Sequence, residues 1–307
     1  MSAPSRGVMN RLRRVATRSP LSGVLLRPKV RKTLAGILAT RFLIAARQTT
    51  EPGRFLADEL AGRASSARRT GRRADLRADL RADSRVPRTY TLRSNGRQLP
   101  VRLPADLEAF YELFDRAEYA PPEPLETRLA ADRVHRILDI GANCGMFAVW
   151  AADRWPKATI TAFEPDPDSV AALRHTLAVS QAPIEIVAAA AATSPGTMRF
   201  TTGWGGGSHT AREGEDGIDV PTVDIFEHLR RADLAKIDIE GGEWPILADP
   251  RLPSLHNLTI VMEYHRNGAP RLPAAEAASE ALTLAGFTVG HIRPNEWGHG
   301  VLWAWKD

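Results

Sequence analysis

Residues 137–145 read ILDIGANCG, an apolar run that leads into a glycine-rich turn. Further apolar runs of strand length lie at 159–163, 184–190, 234–239 and 258–263. Patterns typical of helices lie near 146–154, 168–180, 222–230, 243–249 and 274–285. This alternation predicts an α/β fold with a doubly wound, mainly parallel sheet. Two last runs, 287–292 and 301–305, flank a Pro-Asn-Glu-Trp-Gly turn and predict a C-terminal antiparallel hairpin.

The turn after the first strand is the expected ligand site, because such sheets bind ligands beyond the carboxyl ends of their strands. A dinucleotide-binding turn would need glycines at 141, 143 and 146, and only Gly141 is present. The methyltransferase form of the turn begins with an acid, here Asp139, and needs glycine-like backbones at 141, 143 and 145. Gly141 and Gly145 meet that need, and Asn143 is the non-glycine residue that best tolerates positive φ.

Two downstream features fit a bound nucleoside. Glu164 ends the second strand, 23 positions after Gly141, where a carboxylate accepts hydrogen bonds from both hydroxyls of a ribose. Ala189 and Ala190 lie in an alanine run at the end of the third strand, and such small residues leave a flat slot for an adenine ring. The alternative is an exposed glutamate at a strand end and a turn with glycines only for packing.

Ionisable residues are concentrated at the end of the fourth predicted strand, which reads KIDIEGGE over 236–243. Lys236, Asp238 and Glu240 would share one side of a strand, and Glu243 follows. Ionisable groups on a buried strand are costly unless they are paired or used, so we expect Asp238 above all to lie in an active site.

The fifth strand ends in Glu263-Tyr-His265, which again places an acid and a histidine on one side. His265 is a candidate general base whose pKa Glu263 or Asp238 would tune. Two other interpretations stay open. Asp238, Glu240 and His265 could form a structural network that supports the loops, or they could bind a metal ion through carboxylate oxygens and an imidazole.

These motifs together resemble the FkbM-type family of S-adenosylmethionine-dependent methyltransferases. The resemblance rests on ILDIGANCG (137–145), FEPDP (163–167), KIDIEGGE (236–243) and VMEYH (261–265), and it covers roughly residues 90–305. It implies a class I methyltransferase (Rossmann-like) fold, with S-adenosyl-L-methionine bound around Gly141, Asn143, Gly145, Glu164 and the Ala189-Ala190 region. It also implies O-methylation of a small-molecule or glycolipid acceptor, such as a sugar or a natural-product intermediate.

The front of the chain differs from the rest in charge. Residues 1–105 hold 24 Lys and Arg against 6 Asp and Glu, a net of +18, whereas residues 106–307 hold 17 against 30, a net of −13. We therefore divide the chain into a basic, partly disordered extension (1–85), a hairpin and helix cap (86–131) and a methyltransferase domain (132–307). Alternating runs around Asn95-Gly96 predict the hairpin of the cap.

Charge and composition also limit the partners. The apolar part of the extension, within residues 30–48, is too short to span a bilayer and predicts a short helix, packed on the domain or lying on a membrane surface. A single cysteine, Cys144, excludes an internal disulfide and favours a reducing compartment, so we expect a cytoplasmic protein.

The acidic folded half gives no basic cleft, and no nucleic-acid partner is expected. Two alternatives remain: a binding module without activity, and a nucleic-acid methyltransferase that uses its basic arm.

Overall fold

The computed structural model describes residues 34–70, 87–103, 105–202, 208–211, 215–295 and 298–307. Two sequence expectations lie partly outside the described residues: the basic extension (1–85), of which residues 34–70 are described, and the middle of the C-terminal turn.

The described residues contain thirteen β-strands and eight α-helices. The strands are β1 (Arg88–Thr91), β2 (Gln98–Val101), β3 (Arg136–Ile140), β4 (Thr159–Phe163), β5 (Ile184–Val187), β6 (Ala190–Ala192), β7 (Gly196–Thr201), β8 (His209–Thr210), β9 (Ile218–Asp224), β10 (Leu234–Ile237), β11 (Leu258–Tyr264), β12 (Thr288–Pro294) and β13 (Gly300–Lys306). The helices are α1 (Leu34–Gln48), α2 (Pro52–Thr70), α3 (Leu107–Phe114), α4 (Met146–Arg154), α5 (Pro167–Ser180), α6 (Phe226–Leu229), α7 (Glu243–Leu247) and α8 (Ala274–Leu284).

The central sheet has seven strands in the order β12-β13-β11-β10-β3-β4-β5. All of its strand pairs are parallel except those that involve β13, which runs antiparallel to both β11 and β12. Apolar side chains pack on both faces, with α4 and α5 on one face and α6, α7 and α8 on the other. The predicted doubly wound, mainly parallel sheet and its C-terminal antiparallel hairpin are therefore confirmed.

Strand β3 lies at the point where the chain changes direction across the sheet. From β3 the chain continues to β4 and β5 on one side, and later returns to β10 and β11 on the other. The crevice for a ligand in such sheets lies beyond the carboxyl ends of the strands at this switch point. The turn that follows β3 and the segment that follows β10 therefore meet there.

A second sheet, of four short strands in the order β6-β9-β7-β8, corrects two predictions. The predicted third strand over 184–190 is two strands: β5 ends at Val187, where the Ala189 N–H bonds back to the Val187 carbonyl at 2.9 Å, and β6 then pairs with β9. The predicted helix near 222–230 begins only at Phe226, because the preceding residues belong to β9 and the Asp224 carboxylate accepts the Phe226 N–H at 3.1 Å.

The described part of the basic extension packs against the cap. Phe55 of α2 is buried between Tyr90 and Phe110, with ring centroids 4.8 Å away in each case. Glu59, also buried, pairs with Arg41 at 2.6 Å and accepts a hydrogen bond from the Tyr111 hydroxyl at 3.0 Å. Extension and cap thus share a core, which composition did not indicate. The division of the chain at residues 85 and 131 stays a prediction.

Helix α1 covers most of the segment that the sequence offers as a membrane-surface helix. Ile44 and Ala45 are buried in the core, and Phe42 is exposed. Among the described residues, none of the helices combines the length and the apolar character that crossing a membrane requires. Contact of residues 30–48 with a membrane surface stays a prediction.

Candidate active site

The turn between β3 and α4 has the backbone geometry that its sequence predicts. Gly141 (φ 81°), Asn143 (φ 48°) and Gly145 (φ 84°) all adopt positive φ, which explains the glycines and the asparagine. A Cβ on Gly141 would lie 1.8 Å from the Asp238 carbonyl oxygen, so the turn touches the segment after β10. Only glycine permits that approach.

Glu164, at the end of β4, holds the turn. One carboxylate oxygen accepts the Asn143 N–H at 2.7 Å, and the other accepts the Asp166 N–H at 2.9 Å. The side chain is buried, and this burial raises the pKa of Glu164 to about 7 despite both hydrogen bonds. Each carboxylate oxygen has a further lone pair, so the group can still accept hydrogen bonds from a ligand.

A cavity of about 370 Å³ lies beyond the carboxyl ends of β3, β4 and β10, within the usual size of a small-molecule site. The residues that line it include Gly141, Asn143, Glu164, Ala190, Asp238, Ile239, Glu240 and Ile246, and, from the four-stranded sheet, Thr197, Met198, Phe200, Thr210 and Thr222. The side-chain oxygen of Asn143 is buried and has no hydrogen-bond partner among the residues that the structure describes. It is an acceptor that a bound molecule could satisfy.

Three predicted cofactor residues support this cavity without lining it. Ala189 is buried beside the cavity. Gly145 directly precedes α4, and a Cβ on this residue would lie 2.4 Å from the Leu173 side chain. Asp139 is fully buried in β3, directly opposite Lys236 of β10. None of the three residues lines the cavity, and their part in cofactor binding stays a prediction.

Lys236 is fully occupied by structural contacts. Its ammonium group donates to the Gly141 carbonyl at 2.6 Å and lies 3.4 Å from both the Asp139 and the Asp238 carboxylates. Burial alone would lower the pKa of Lys236, but the charges of Asp238 and Asp139 raise it above its usual value. The lysine therefore stays charged and is not available as a base.

His265 gathers the acidic residues that the sequence placed near it. Its Nδ1 lies 3.2 Å from the Glu243 carboxylate, which also accepts the His265 backbone N–H at 2.8 Å. Its Nε2 lies 3.5 Å from Glu240, 3.9 Å from Asp238 and 4.0 Å from Glu263. We call these four carboxylates and the imidazole the acid–histidine cluster.

The cluster shifts the pKa values of its members. Burial would lower the pKa of His265, but the hydrogen bond to Glu243 and the charge of Asp238 raise it to about 10. Burial raises the pKa of Glu240 to about 7, and burial together with the charge of Asp238 raises that of Glu263. An imidazole with so high a pKa carries its proton at neutral pH, which argues against His265 as the base in this state.

Two residues of the cap reach this cluster, and sequence reasoning missed both. The Tyr119 hydroxyl donates to Glu263 at 3.4 Å. Burial raises the pKa of Glu112 of α3 to about 7, and the nearby charge of Asp238 adds to this rise. In the sequence both lie in a stretch that looks only like an amphipathic helix and its end.

A larger cleft of about 770 Å³ lies at the opposite ends of the strands. Its lining includes Arg136 at the start of β3, Thr159 at the start of β4, and Arg230 after α6. Sheets of this kind bind ligands at the carboxyl ends of their strands, so we assign the site to the smaller cavity, which adjoins the glycine turn.

Comparison with known proteins agrees with the motifs. A family model described as "Methyltransferase FkbM domain" matches residues 139–293. Trans-aconitate 2-methyltransferase of Mycobacterium ulcerans (strain Agy99) is 36% identical over 67 residues, which are 22% of this chain and 26% of that protein. The match thus spans only about a quarter of the length of that curated relative.

Solved structures of methyltransferases are also similar. Precorrin-6y C5,15-methyltransferase from Geobacter metallireducens GS-15 matches with a TM-score of 0.36 and 20% identity, over 63% of this chain and 97% of that chain. Aeropyrum pernix fibrillarin in complex with natively bound S-adenosyl-L-methionine matches with a TM-score of 0.33 and 14% identity, over 57% and 68% of the two chains. Likeness at this level supports no inference about activity.

Proposed function

Since the chain belongs to the FkbM methyltransferase family, whose model matches residues 139–293, we propose that it transfers a methyl group from S-adenosyl-L-methionine to a hydroxyl oxygen. The proposed acceptor is a sugar, a glycolipid or a natural-product intermediate. The order of the central sheet and its antiparallel last strand agree with the class I methyltransferase fold that the resemblance implies.

The cavity beside the glycine turn is the proposed cofactor site. Glu164 would accept hydrogen bonds from the ribose hydroxyls, and the unpartnered Asn143 side-chain oxygen would accept one from a polar hydrogen of the same ligand. Ala190 and Ile246 offer apolar surface to the adenine ring. When bound, S-adenosyl-L-methionine supplies a methyl group on a sulfonium sulfur, a carbon that oxygen nucleophiles attack.

The acid–histidine cluster is the proposed acceptor site. A neutral hydroxyl is a weak nucleophile, so a group that orients it and accepts its proton accelerates the reaction. Asp238 lies between the proposed cofactor site and the proposed acceptor site, because it lines the cavity and is also a member of the cluster. Glu240 lies beside it with a pKa of about 7, close to the operating pH that suits a base. We assign orientation of the hydroxyl to Asp238 and uptake of its proton to these two carboxylates.

Glu243 and Lys236 act at a distance from the acceptor in this proposal. Glu243 is fully buried and fixes the imidazole of His265, and Lys236 fixes Asp238 and the glycine turn. Both are positioning residues. His265 carries the positive charge that keeps several carboxylates close together.

The single observation that carries the proposal is the position of Asp238 between the cavity and the cluster. Calorimetry with S-adenosylhomocysteine, and with NAD as the control ligand, tests the cofactor. We expect binding of the first and none of the second. Release of S-adenosylhomocysteine in the presence of a panel of hydroxylated sugars, glycolipids and natural-product intermediates tests the transfer. Binding of NAD without any response to S-adenosylhomocysteine would contradict the proposal.

A further inference from the structure

Four carboxylates surround a single imidazole at the carboxyl ends of β10 and β11. Asp238, Glu240, Glu243 and Glu263 each have an oxygen within 4.0 Å of a ring nitrogen of His265. Among the described residues, the only Lys or Arg that forms an ion pair with any of the four is Lys236, which pairs with Asp238. One imidazolium and one shared ammonium therefore face four acidic groups.

This charge arrangement is costly while the carboxylates are ionised, and either protons on the carboxylates or a bound cation would relieve it. Like charges held a few ångströms apart raise each other's free energy, and partial burial increases the cost. Within the part of the chain that the structure describes, Glu240 and Glu263 form ion pairs with His265 alone. A divalent ion would offset the excess negative charge with a single bound species.

The ligand atoms are spaced for one ion. One carboxylate oxygen of Asp238, one of Glu263 and one ring nitrogen of His265 all lie within 4.8 Å of one another. Protein ligands lie about 2.0–2.6 Å from a divalent ion, so two ligands of the same ion are at most about twice that distance apart. The spacing of these three atoms is therefore compatible with a single bound ion.

The imidazole is aimed into this space. His265 is 3% exposed, and its Nε2 makes no hydrogen bond to any described residue, although it faces the three carboxylates of Asp238, Glu240 and Glu263. Its other nitrogen, Nδ1, is held by the buried Glu243. A carboxylate on the far nitrogen is the usual way in which a metal-binding histidine is oriented, and it directs Nε2 toward the ion.

We infer that Asp238, Glu263 and His265 bind one divalent metal ion, with Glu243 orienting the histidine. The ion replaces the proton on Nε2 of His265, which is released to solvent, because only a neutral imidazole binds a metal ion. A set of two carboxylates and one imidazole suits a divalent transition metal such as Mn²⁺. Three protein ligands leave coordination positions open beside the cavity, so the ion is placed to bind the acceptor hydroxyl and lower its pKa. This role rests on the proposed function; Glu240, which is not a ligand, then receives the hydroxyl proton. Acceptors with two neighbouring oxygens would chelate the ion and are the favoured class.

Titration of the full-length protein with Mn²⁺ tests the inference. The protein is first treated with a chelator and desalted, no cofactor is added, and free Mn²⁺ is followed by electron paramagnetic resonance. We expect saturable binding of one ion per chain. Asp238→Asn and Glu263→Gln should each weaken it at least tenfold, and Glu243→Gln by about 10–100-fold, the usual cost of losing an outer partner of a metal-binding histidine. Glu276→Gln, an exposed carboxylate paired with Arg271, should bind as the wild type does.

Circular dichroism identifies the variants that remain folded, and only folded variants are compared with the wild type. Absence of saturable binding to the wild type would overturn the inference. So would unchanged affinity in folded Asp238→Asn and Glu263→Gln. Because S-adenosylhomocysteine binding is measured separately and without Mn²⁺, its loss would count against the proposed function alone.

Discussion

Lys236 donates a 2.6 Å hydrogen bond to the carbonyl oxygen of Gly141, and it thereby joins the end of β10 to the glycine turn after β3. The same ammonium group lies 3.4 Å from the Asp238 carboxylate at the edge of the acid–histidine cluster. The proposed cofactor site and the proposed acceptor site are thus fixed to one buried cation. Its removal should disturb both sites together.

Lys236→Met should lower the free energy of unfolding by about 3–5 kcal/mol, the usual cost of breaking a buried ion pair from one side. The loss leaves Asp139, which is fully buried, without a cationic partner. Equilibrium urea denaturation measures the change. The control is Lys157→Met at an exposed position, where we expect a change near zero.

A double-mutant cycle with Asp139→Asn separates charge from packing. If the unpaired carboxylate causes the loss, adding Asp139→Asn to Lys236→Met should recover part of the stability, because the buried negative charge is gone. Equal stability of the Lys236→Met variant and the wild type would show that Lys236 is not needed to neutralise Asp139 and Asp238.

Sequence reasoning predicted those parts of the fold and site that follow from position along the strands. The turn at 141–145, Glu164 after β4, Asp238 after β10 and His265 after β11 all lie at the carboxyl end of the parallel sheet, as alternation of strands and helices predicts. Even the positive φ of Asn143 was foreseeable from its place between two glycines.

The remaining features could not be predicted, because they depend on contacts distant in sequence. Strand β6 is three alanines and β8 two residues, so neither shows the alternation that marks a strand. Lys236 looks like a catalytic candidate in the sequence, and only its contacts with Gly141 and Asp139 give it a structural role. The expectation that Glu240 shares one side of a strand with Lys236 and Asp238 is wrong. Strand β10 ends at Ile237, and Glu240 lies in the following turn with a φ of 53°.

Glu164→Gln should weaken the binding of S-adenosylhomocysteine by about 1.5–3 kcal/mol, the usual worth of hydrogen bonds to a charged group. Glutamine keeps the size of the side chain but only one acceptor oxygen, so one of the two backbone N–H groups, of Asn143 or of Asp166, loses its acceptor. Circular dichroism and thermal unfolding check that the variant stays folded. Calorimetry measures the affinity, and Glu185→Gln on the exposed side of β5 is the control. Unchanged affinity in the Glu164→Gln variant would remove Glu164 from the proposed site.

The affinity for S-adenosylhomocysteine should also depend on pH through Glu164. Its pKa of about 7 means that the carboxyl group is mainly protonated below pH 7 and ionised above it. The ionised form accepts the hydrogen bonds of a ribose, so affinity should rise between about pH 6 and pH 8 and level off above. Glu164→Gln removes the titrating group and should abolish that rise. A wild-type affinity that is constant over this range would contradict the assignment.

Deletion of residues 1–33 should leave the affinity for S-adenosylhomocysteine unchanged, because the cofactor motifs lie beyond residue 136. Deletion of residues 1–85 should lower the thermal stability. It removes Phe55 from its place between Tyr90 and Phe110, and it leaves Tyr111 without its hydrogen bond to Glu59. Loss of the buried phenylalanine alone should cost about 3–5 kcal/mol. Thermal unfolding of the two truncated proteins measures the difference. Equal stability after both cuts would show that α1 and α2 do not contribute to the core.

Asp238→Asn should lower kcat by about 10²–10⁴, the usual range for loss of an acid–base group, because it keeps the shape of the side chain and removes its charge. The affinity for S-adenosylhomocysteine should change far less, since Glu164 and the turn at Gly141 hold that ligand. The fold should survive, because Lys236 keeps its contacts with Asp139 and with the Gly141 carbonyl. Initial rates with an acceptor found in the panel give kcat, and Asp219→Asn on the exposed side of β9 is the control. A folded Asp238→Asn protein with normal turnover would exclude Asp238 from the reaction, and Glu240, which lines the same cavity, would then be the remaining carboxylate to substitute.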